Sequence, residues 1–420
     1  MQRFGGAVIL MQQSLNNNVN NVELLDQITY LAGGKEIVAD INTVSAREPF
    51  DEYVVDFLND LSKCLMRSAA AKAYPDVITL GFWIRKSSVL KLKERFVEEN
   101  DDIHVGRGVA FHIAPSNVPV NYAYSLVTGL LTGNANIVRI PSKDFPQVQI
   151  INEAINKTLE NYPDLRSYIC LIRYGRNQEI NDLLSSLADT RIVWGGDTTI
   201  AEIRKSPLGP RASEITFADR FSLSVIDSDV YLQKEDKDKI AEDFYNDTYL
   251  TDQNACTSPR IIVWTGTSKA EAKKQFWSYL HDVVEKKYTF QSIMGINKLT
   301  SGYLMAVAQK GSKIELHEDN LIVRVQVPAV KNGLMELKDN SGYFFEYDCD
   351  DILELRELCD DNHCQTIGFM GRREDIMPLI NSGIRGVDRI VPIGKTMDFD
   401  FIWDGYNLFE RLTRIIKITM

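Results

Sequence analysis

Within TDQNACTSPR, residues 251–260, one cysteine stands between an Asp-Gln-Asn run and a Ser-Pro break, just ahead of the apolar run IIVW. A cysteine thiolate can attack a carbonyl carbon and hold the acyl group covalently. The small polar neighbours of Cys256 suit a thiol reached from a cleft. No histidine is nearby in sequence, so activation must come from backbone dipoles or from residues distant in the chain. The competing reading is a small apolar filler beside a strand. Spacing alone leaves both open.

A second polar group lies in HIAPSNVPVNYAYSLVTGLLTGNANIVRIPSK, residues 112–143. Asn117 falls in a loop between a strand and a helix, where its amide can point into a crevice or simply cap the loop. Arg139, Ser142 and Lys143 follow at the carboxyl end of the next strand, where a wound sheet seats a nucleotide ribose. A carboxylate there takes the ribose 2′-OH and a basic residue accommodates a 2′-phosphate. Arg and Lys dominate this turn, against the single Asp144, which favours NADPH over NADH. A third candidate is VWGGDTTIAEIRK, residues 193–205, a strand, two glycines and a helix start. Gly195, Gly196 and Thr198 place backbone N–H groups where a phosphate can be held. No strand is followed by G-x-G-x-x-G, so the ordinary dinucleotide fingerprint is missing.

The elements that must position these residues are legible in the periodicity. Residues 50–73 and about 85–99 carry apolar residues at helical spacing, with GFWIRK (81–86) between them read as core packing. From 105 onward short apolar strands alternate with helices of ten to sixteen residues. GVAFHIA, ANIVRI, YICLIRY, RIVWGG and FSLSVID are the strands, and Gly133 is placed to end the helix after 121. This rhythm predicts a parallel sheet covered on both faces, with ligands beyond the carboxyl ends of its strands. A charged run after 228 marks a crossing into a second α/β unit containing RIIVW, a helix at 269–286, LIVRV and a helix at 350–361. The expected division is a helical region at 1–100, a nucleotide-binding domain at 101–228, a catalytic domain with Cys256 at 229–390, and a return or oligomerisation segment at 391–420.

The 420 residues carry a formal charge of −11 with ordinary apolar content, which argues against nucleic acid or an anionic membrane as the main partner. Six cysteines (64, 170, 256, 349, 359, 364) are scattered. Cys359 and Cys364 flank His363 closely, but four ligands at zinc spacing are missing, so no metal is expected and free thiols in a reducing compartment are. The start MQRFGGAVILMQQ does not read as a signal peptide, SLNNNVNNV (14–22) reads as an irregular arm, and no run approaches a membrane span. A cytoplasmic location is expected.

Taken together, FWIRK, the 112–143 stretch, IVWGGD, FADRFSLSVID, DQNACTSPR, CQTIGFMG and DFDFIWDGYNLFERLTRII resemble the LuxC family of long-chain acyl-CoA reductases, within the aldehyde dehydrogenase superfamily. The resemblance implies an aldehyde dehydrogenase-like α/β fold: a wound cofactor domain, a catalytic domain and an oligomerisation element, hence a homo-oligomer. It implies that Cys256 is the nucleophile and that Asn117, with the cysteine's backbone N–H, holds the oxyanion. Arg139, Ser142 and Lys143 fall at the adenosine ribose, Gly195 and Gly196 at the pyrophosphate, and Glu346 in GYFFEY near the nicotinamide ribose. Acid-forming aldehyde dehydrogenases carry a water-activating glutamate in a Glu-Leu-Gly-Gly setting. Here the region reads TFADRF, with Asp219 at best a stand-in, so the acyl-enzyme is expected to await hydride.

The implied activity is NADPH-dependent reduction of a fatty acyl-CoA to the aldehyde through an acyl-cysteine. The alternatives are an acyl-phosphate reductase of the same superfamily and a non-catalytic subunit of a fatty acid reductase complex. Members of the family in luminous bacteria work with an acyl-protein synthetase and an acyl transferase, which makes those the candidate partners.

Overall fold

The computed structural model describes residues 21–98, 102–331 and 333–419. The amino-terminal apolar run and most of the polar tract at 14–22 lie outside the described residues. The chain divides into two compact units, Met1–Ala218 with Tyr406–Met420, and Asp219–Gly405. The division falls before the strand FSLSVID, which belongs to the second unit, and the chain's end returns to the first.

The first unit contains seven strands before the division: β1 (Thr29–Ala32), β2 (Ile103–Gly106), β3 (Val109–Ile113), β4 (Ala135–Arg139), β5 (Ile169–Arg173), β6 (Thr190–Trp194) and β7 (Ser213–Phe217). Six form one sheet in the order β1-β5-β4-β3-β6-β7. β3 to β7 run parallel and β1 closes one edge antiparallel. The sheet winds outward from β3 to β4 and β5, then restarts with β6 on the other side. The strand order therefore reverses between β3 and β6. β2 pairs separately with the terminal strand Thr413–Ile416.

Near-continuous apolar runs make β3 to β6 central strands, and the connections are the helices that the periodicity calls for: Asn121–Leu131, Pro146–Leu159 and Gln178–Leu187. Helix Glu52–Arg67 is capped by Asp51, whose carboxylate accepts from the Tyr53 and Val54 amides at 2.9 and 3.2 Å. It buries Val54, Leu58, Leu61 and Leu65 along one stripe. Phe82 departs from the expected core packing. It is exposed on helix Pro75–Trp83, with the Arg85 guanidinium 5.5 Å from its ring centre, whereas Trp83 packs on Tyr124.

Beneath the reversal point lies a buried polar network. His112 reaches Ser125 Oγ through Nδ1 (2.7 Å) and Asn136 Oδ1 through Nε2 (3.0 Å), and the Trp194 indole donates to the same Ser125 oxygen (3.0 Å). Full burial pushes His112 down to about 4, so it is a neutral core histidine. A side chain at position 129 would collide with Asn136 Oδ1, so Gly129 is what lets the helix approach.

The second unit holds β8 (Phe221–Asp227), β9 (Pro259–Thr265), β10 (Lys313–Leu316), β11 (Val323–Gln326), β12 (Tyr343–Asp348), β13 (Cys364–Met370) and β14 (Arg389–Pro392). Their order is β10-β11-β12-β9-β8-β13-β14, parallel except for β10. Alternation along β9 divides the core: Ile261 and Val263 enter one apolar cluster, Ile262 and Trp264 the other.

Candidate active site

Seven of the residues singled out in the sequence lie along the carboxyl edge of the first sheet. Asn117 is exposed in the loop after β3, beside the reversal point, and Gly195, Gly196 and Thr198 follow β6. Gly195 donates its N–H to the Phe217 carbonyl (3.1 Å), and a Cβ there would press on Thr199 at 3.0 Å. Helix Asp197–Ile203 is short and begins with an acidic residue.

Arg139 ends β4. Its guanidinium lies 4.3 Å from the Tyr174 ring centre and donates to the Tyr174 and Gly175 carbonyls. Ser142 and Lys143 are exposed in the next turn. Asp144, the one acid in this turn, is paired with Arg173 at 2.7 Å.

Cys256 belongs to the second unit, in the turn that leads into β9. It therefore stands at the amino edge of its sheet. The loop before it is held by buried side chains. Asp252 and Gln253 both take left-handed backbone angles (φ 52° and 53°), a conformation L-residues adopt only under outside constraint.

The constraint is visible. The wholly buried Gln253 amide donates to the Pro259 and Tyr343 carbonyls (3.3 Å each) and accepts from the Gly342 and Tyr343 amides (2.8 and 3.3 Å). Gly342 has φ +83°, and a Cβ there would strike the Tyr249 hydroxyl. Arg260 closes the loop from the other side, donating to the Gln253 carbonyl and, at 2.7 Å, to the Asp339 carbonyl. Ser222, at the start of β8, donates to the Cys256 carbonyl (2.8 Å). On the far side the Thr257 hydroxyl donates to Met397 Sδ at 3.0 Å. Met397 follows a turn whose Gly394 and Thr396 amides donate to the buried Asp247 carboxylate, which burial pushes up to about 7.

Cys256 itself is half-buried. Desolvation and then the neighbouring Asp404 push its thiol up to about 12, against hydrogen bonds from the Gln365 side chain and from the cysteine's own amide. Gln365 is fully buried and also donates to Asp404, whose carboxyl burial raises above the usual carboxylate range. The resting sulfur is a neutral thiol with a backbone N–H and a side-chain amide beside it.

A cavity of about 310 Å³ opens at the same amino edge, lined by Asp219, Arg220, Lys338 and His363 among others. Burial first, and then Arg260, hold the Lys338 ammonium below the usual lysine range, although Asp219 and Cys256 oppose that shift. Arg220 spans the base of this edge through the Cys364 and Gly386 carbonyls and Asp388.

Glu346 lies in β12 and is buried. One carboxylate oxygen accepts from the Trp264 and Trp277 indoles at 2.8 and 2.7 Å, and Arg324 approaches the other at 3.4 Å. Those partners make it a packed group of the second unit's own core. Gln253, Arg260, Gln365 and Asp404 were not singled out from the sequence. Gln253 stands inside the quoted motif, but nothing in spacing marks its amide as a backbone clamp.

A family model described as acyl-CoA reductase (LuxC) matches residues 88–289. A long-chain acyl-protein thioester reductase of Vibrio harveyi is 26% identical over 323 residues, 74% of this chain and 64% of the relative. The protein of the same description from Aliivibrio fischeri is 22% identical over 299 residues, 70% of this chain and 60% of that one. The chain thus spans about three-fifths of the length of these curated relatives. Among solved structures, an NAD-dependent benzaldehyde dehydrogenase from Corynebacterium glutamicum superposes with TM-score 0.61 at 13% identity, covering 93% of this chain and 94% of that one. A Thermus thermophilus 1-pyrroline-5-carboxylate dehydrogenase gives TM-score 0.61 at 12% identity, covering 95% and 85%. By sequence the chain is similar to the acyl-CoA reductase (LuxC) family over residues 88–289, and its fold is aldehyde dehydrogenase-like.

Proposed function

We propose that this chain reduces a long-chain acyl thioester to the aldehyde through an acyl-cysteine on Cys256, with NADPH as reductant. The observation that carries the reading is the Cys256 loop: a thiol fixed from both sides by Gln253 and Arg260, with hydrogen-bond donors at the sulfur. The printed descriptions of the relatives supply the substrate class. They name an acyl-protein thioester, while the family description names acyl-CoA. Both are thioesters, and the leaving thiol is what differs.

The Cys256 sulfur loses its proton and bonds to the thioester carbonyl carbon. The resulting oxyanion is held by the cysteine's backbone N–H. Collapse breaks the bond to the carrier sulfur, which leaves as a thiol after taking a proton. A reduced nicotinamide bound by the chain would supply the hydride, and with it the two electrons, that the acyl-cysteine carbonyl takes up. The chain's residues then hold the second oxyanion until the carbon–sulfur bond to Cys256 breaks, freeing the aldehyde and the thiolate. TFADRF in place of a Glu-Leu-Gly-Gly setting leaves the acyl-enzyme without that setting's water-activating base.

The dinucleotide is assigned to the carboxyl edge of the first sheet, on the strength of the strand-order reversal, the close backbone approach at Gly195 and the exposed Ser142 and Lys143. A basic turn whose one acid is paired with Arg173 suits a 2′-phosphate.

The test is incubation with radiolabelled acyl-CoA, acyl-protein thioester and acyl phosphate, with NADPH withheld. Label on the peptide containing Cys256, from a thioester and absent in Cys256→Ala, is the expected result. Equal labelling of the variant, or labelling from acyl phosphate alone, overturns it.

A further inference from the structure

His281, His317 and Asp319 come together on the surface of the second unit, on elements other than the Cys256 loop. His281 projects from helix Lys269–Lys287, and the other two lie in the turn between β10 and β11. His281 Nε2 is 2.5 Å from one Asp319 oxygen, and His317 Nδ1 is 3.2 Å from the other. The two imidazole rings lie 4.0 Å apart between centres, tilted by 33°. One ligand atom from each residue falls within 4.8 Å of the others.

We propose that these three residues form a zinc(II) site that clips the 317–320 turn to the helix. Zinc takes nitrogen and oxygen at about 2.0–2.2 Å in tetrahedral geometry, which sets ligand atoms roughly 3.3–3.6 Å apart. The nitrogen–oxygen separations of 2.5 and 3.2 Å are shorter, so seating an ion needs the His281 ring and the carboxylate to part by less than about 1 Å. Two imidazoles with one carboxylate select zinc or its transition-metal neighbours over calcium and magnesium, which take oxygen ligands. Each ring meets a different oxygen of the one carboxylate, so all three groups already face a common point. The fourth position is left to water.

The turn is preformed. Asp319 also accepts from the Leu321 amide (2.9 Å), and the Asn320 amide donates to the His317 carbonyl (3.0 Å). The clip reaches further through Lys298, 1% exposed, whose ammonium donates to the Asn320 and Ser341 carbonyls at 2.5 and 2.6 Å. The residue after Ser341 is Gly342, which donates to Gln253 beside the Cys256 loop. The ion is a structural clip on the same scaffold, separate from the acyl chemistry.

The test uses the full chain, stripped with chelator and titrated with zinc by calorimetry and with cobalt(II) by absorption. One ion per chain is expected, with a nitrogen/oxygen cobalt spectrum that lacks thiolate charge-transfer bands. His317→Ala, an exposed position, should fold normally by circular dichroism and bind at least about tenfold more weakly. Zinc should raise the melting temperature of the wild type and leave that of His317→Ala unmoved. Thiolate bands, unaltered binding by His317→Ala, or no saturable binding by the wild type would each overturn the assignment.

Discussion

In the first unit the polar residues of interest gather where the strands end, and in the second they gather around Cys256, where the strands begin. The edges offer different chemistry. Loops leaving a parallel strand run into helix amino ends, so the backbone itself presents N–H donors. Asn117, Gly195 and Gly196 stand on such loops. Loops entering a strand follow a helix carboxyl end. The Cys256 loop follows helix Lys237–Thr248 and the turn Tyr249–Thr251. Side chains add donors there beside the cysteine's own N–H, and Gln253, Arg260, Gln365 and Ser222 supply them. The raised Cys256 thiol belongs to the same picture, since its sulfur lies among buried side chains with a carboxylate nearby.

Removing the nucleophile should have the largest effect. Cys256→Ala is expected to cost about 10³-fold or more in thioester reduction while still binding NADPH. A smaller loss would detach the chemistry from the amino edge, and quenched-flow aldehyde assays read it.

Next is the clamp. Gln253→Ala strips four backbone groups of a buried partner and should lower unfolding stability by about 2–4 kcal/mol in denaturant titration. The turnover rate should fall with it, because the Asp252–Gln253 backbone loses what holds it left-handed. An effect below about 0.5 kcal/mol, within the scatter of surface substitutions, would mean the loop is fixed by other means.

On the carboxyl edge, Lys143→Glu should raise KM for NADPH about tenfold, roughly the worth of one charge-assisted phosphate contact, with NADH nearly unaffected. Equal losses with both cofactors would remove the 2′-phosphate assignment. The smallest effect concerns Asp404. Being the second cause of the raised thiol, its change to Asn should speed iodoacetamide alkylation of Cys256 severalfold at pH 8, read by peptide mass spectrometry.

The sign with pH follows from the same group. A thiol raised in the folded state contributes stability below the ordinary thiol range near about 8.5, and that contribution is lost as pH climbs toward 12. Alkylation of the free wild-type protein should therefore keep rising with pH through about 8.5, where an unperturbed thiol levels off. A plateau there would break the link between burial and the silent thiol.

The four central strands of the first unit were readable because they and their helices are encoded locally, whereas the edge strands β1 and β7 were not read and FSLSVID, expected beside them, belongs to the second unit. An apolar run with β-branched residues makes a buried strand wherever it lies, and Gly133 or Asp51 marks a helix end within a few residues. Cys256 and Asn117 were equally visible as residues. Phe82 went against its type, since nothing in GFWIRK encodes which way helix Pro75–Trp83 faces.

What only the tertiary structure decided is what each candidate touches. Gln253 and Gly342, Gln365 and Asp404, and His281 and His317 are partners across long stretches of chain. Glu346, one acid in an apolar strand by sequence, sits between two tryptophans. Periodicity records the face a residue presents, with a range of one or two helical turns. Hydrogen bonds and desolvation depend on neighbours brought in by strand order, and strand order has no local code in the chain.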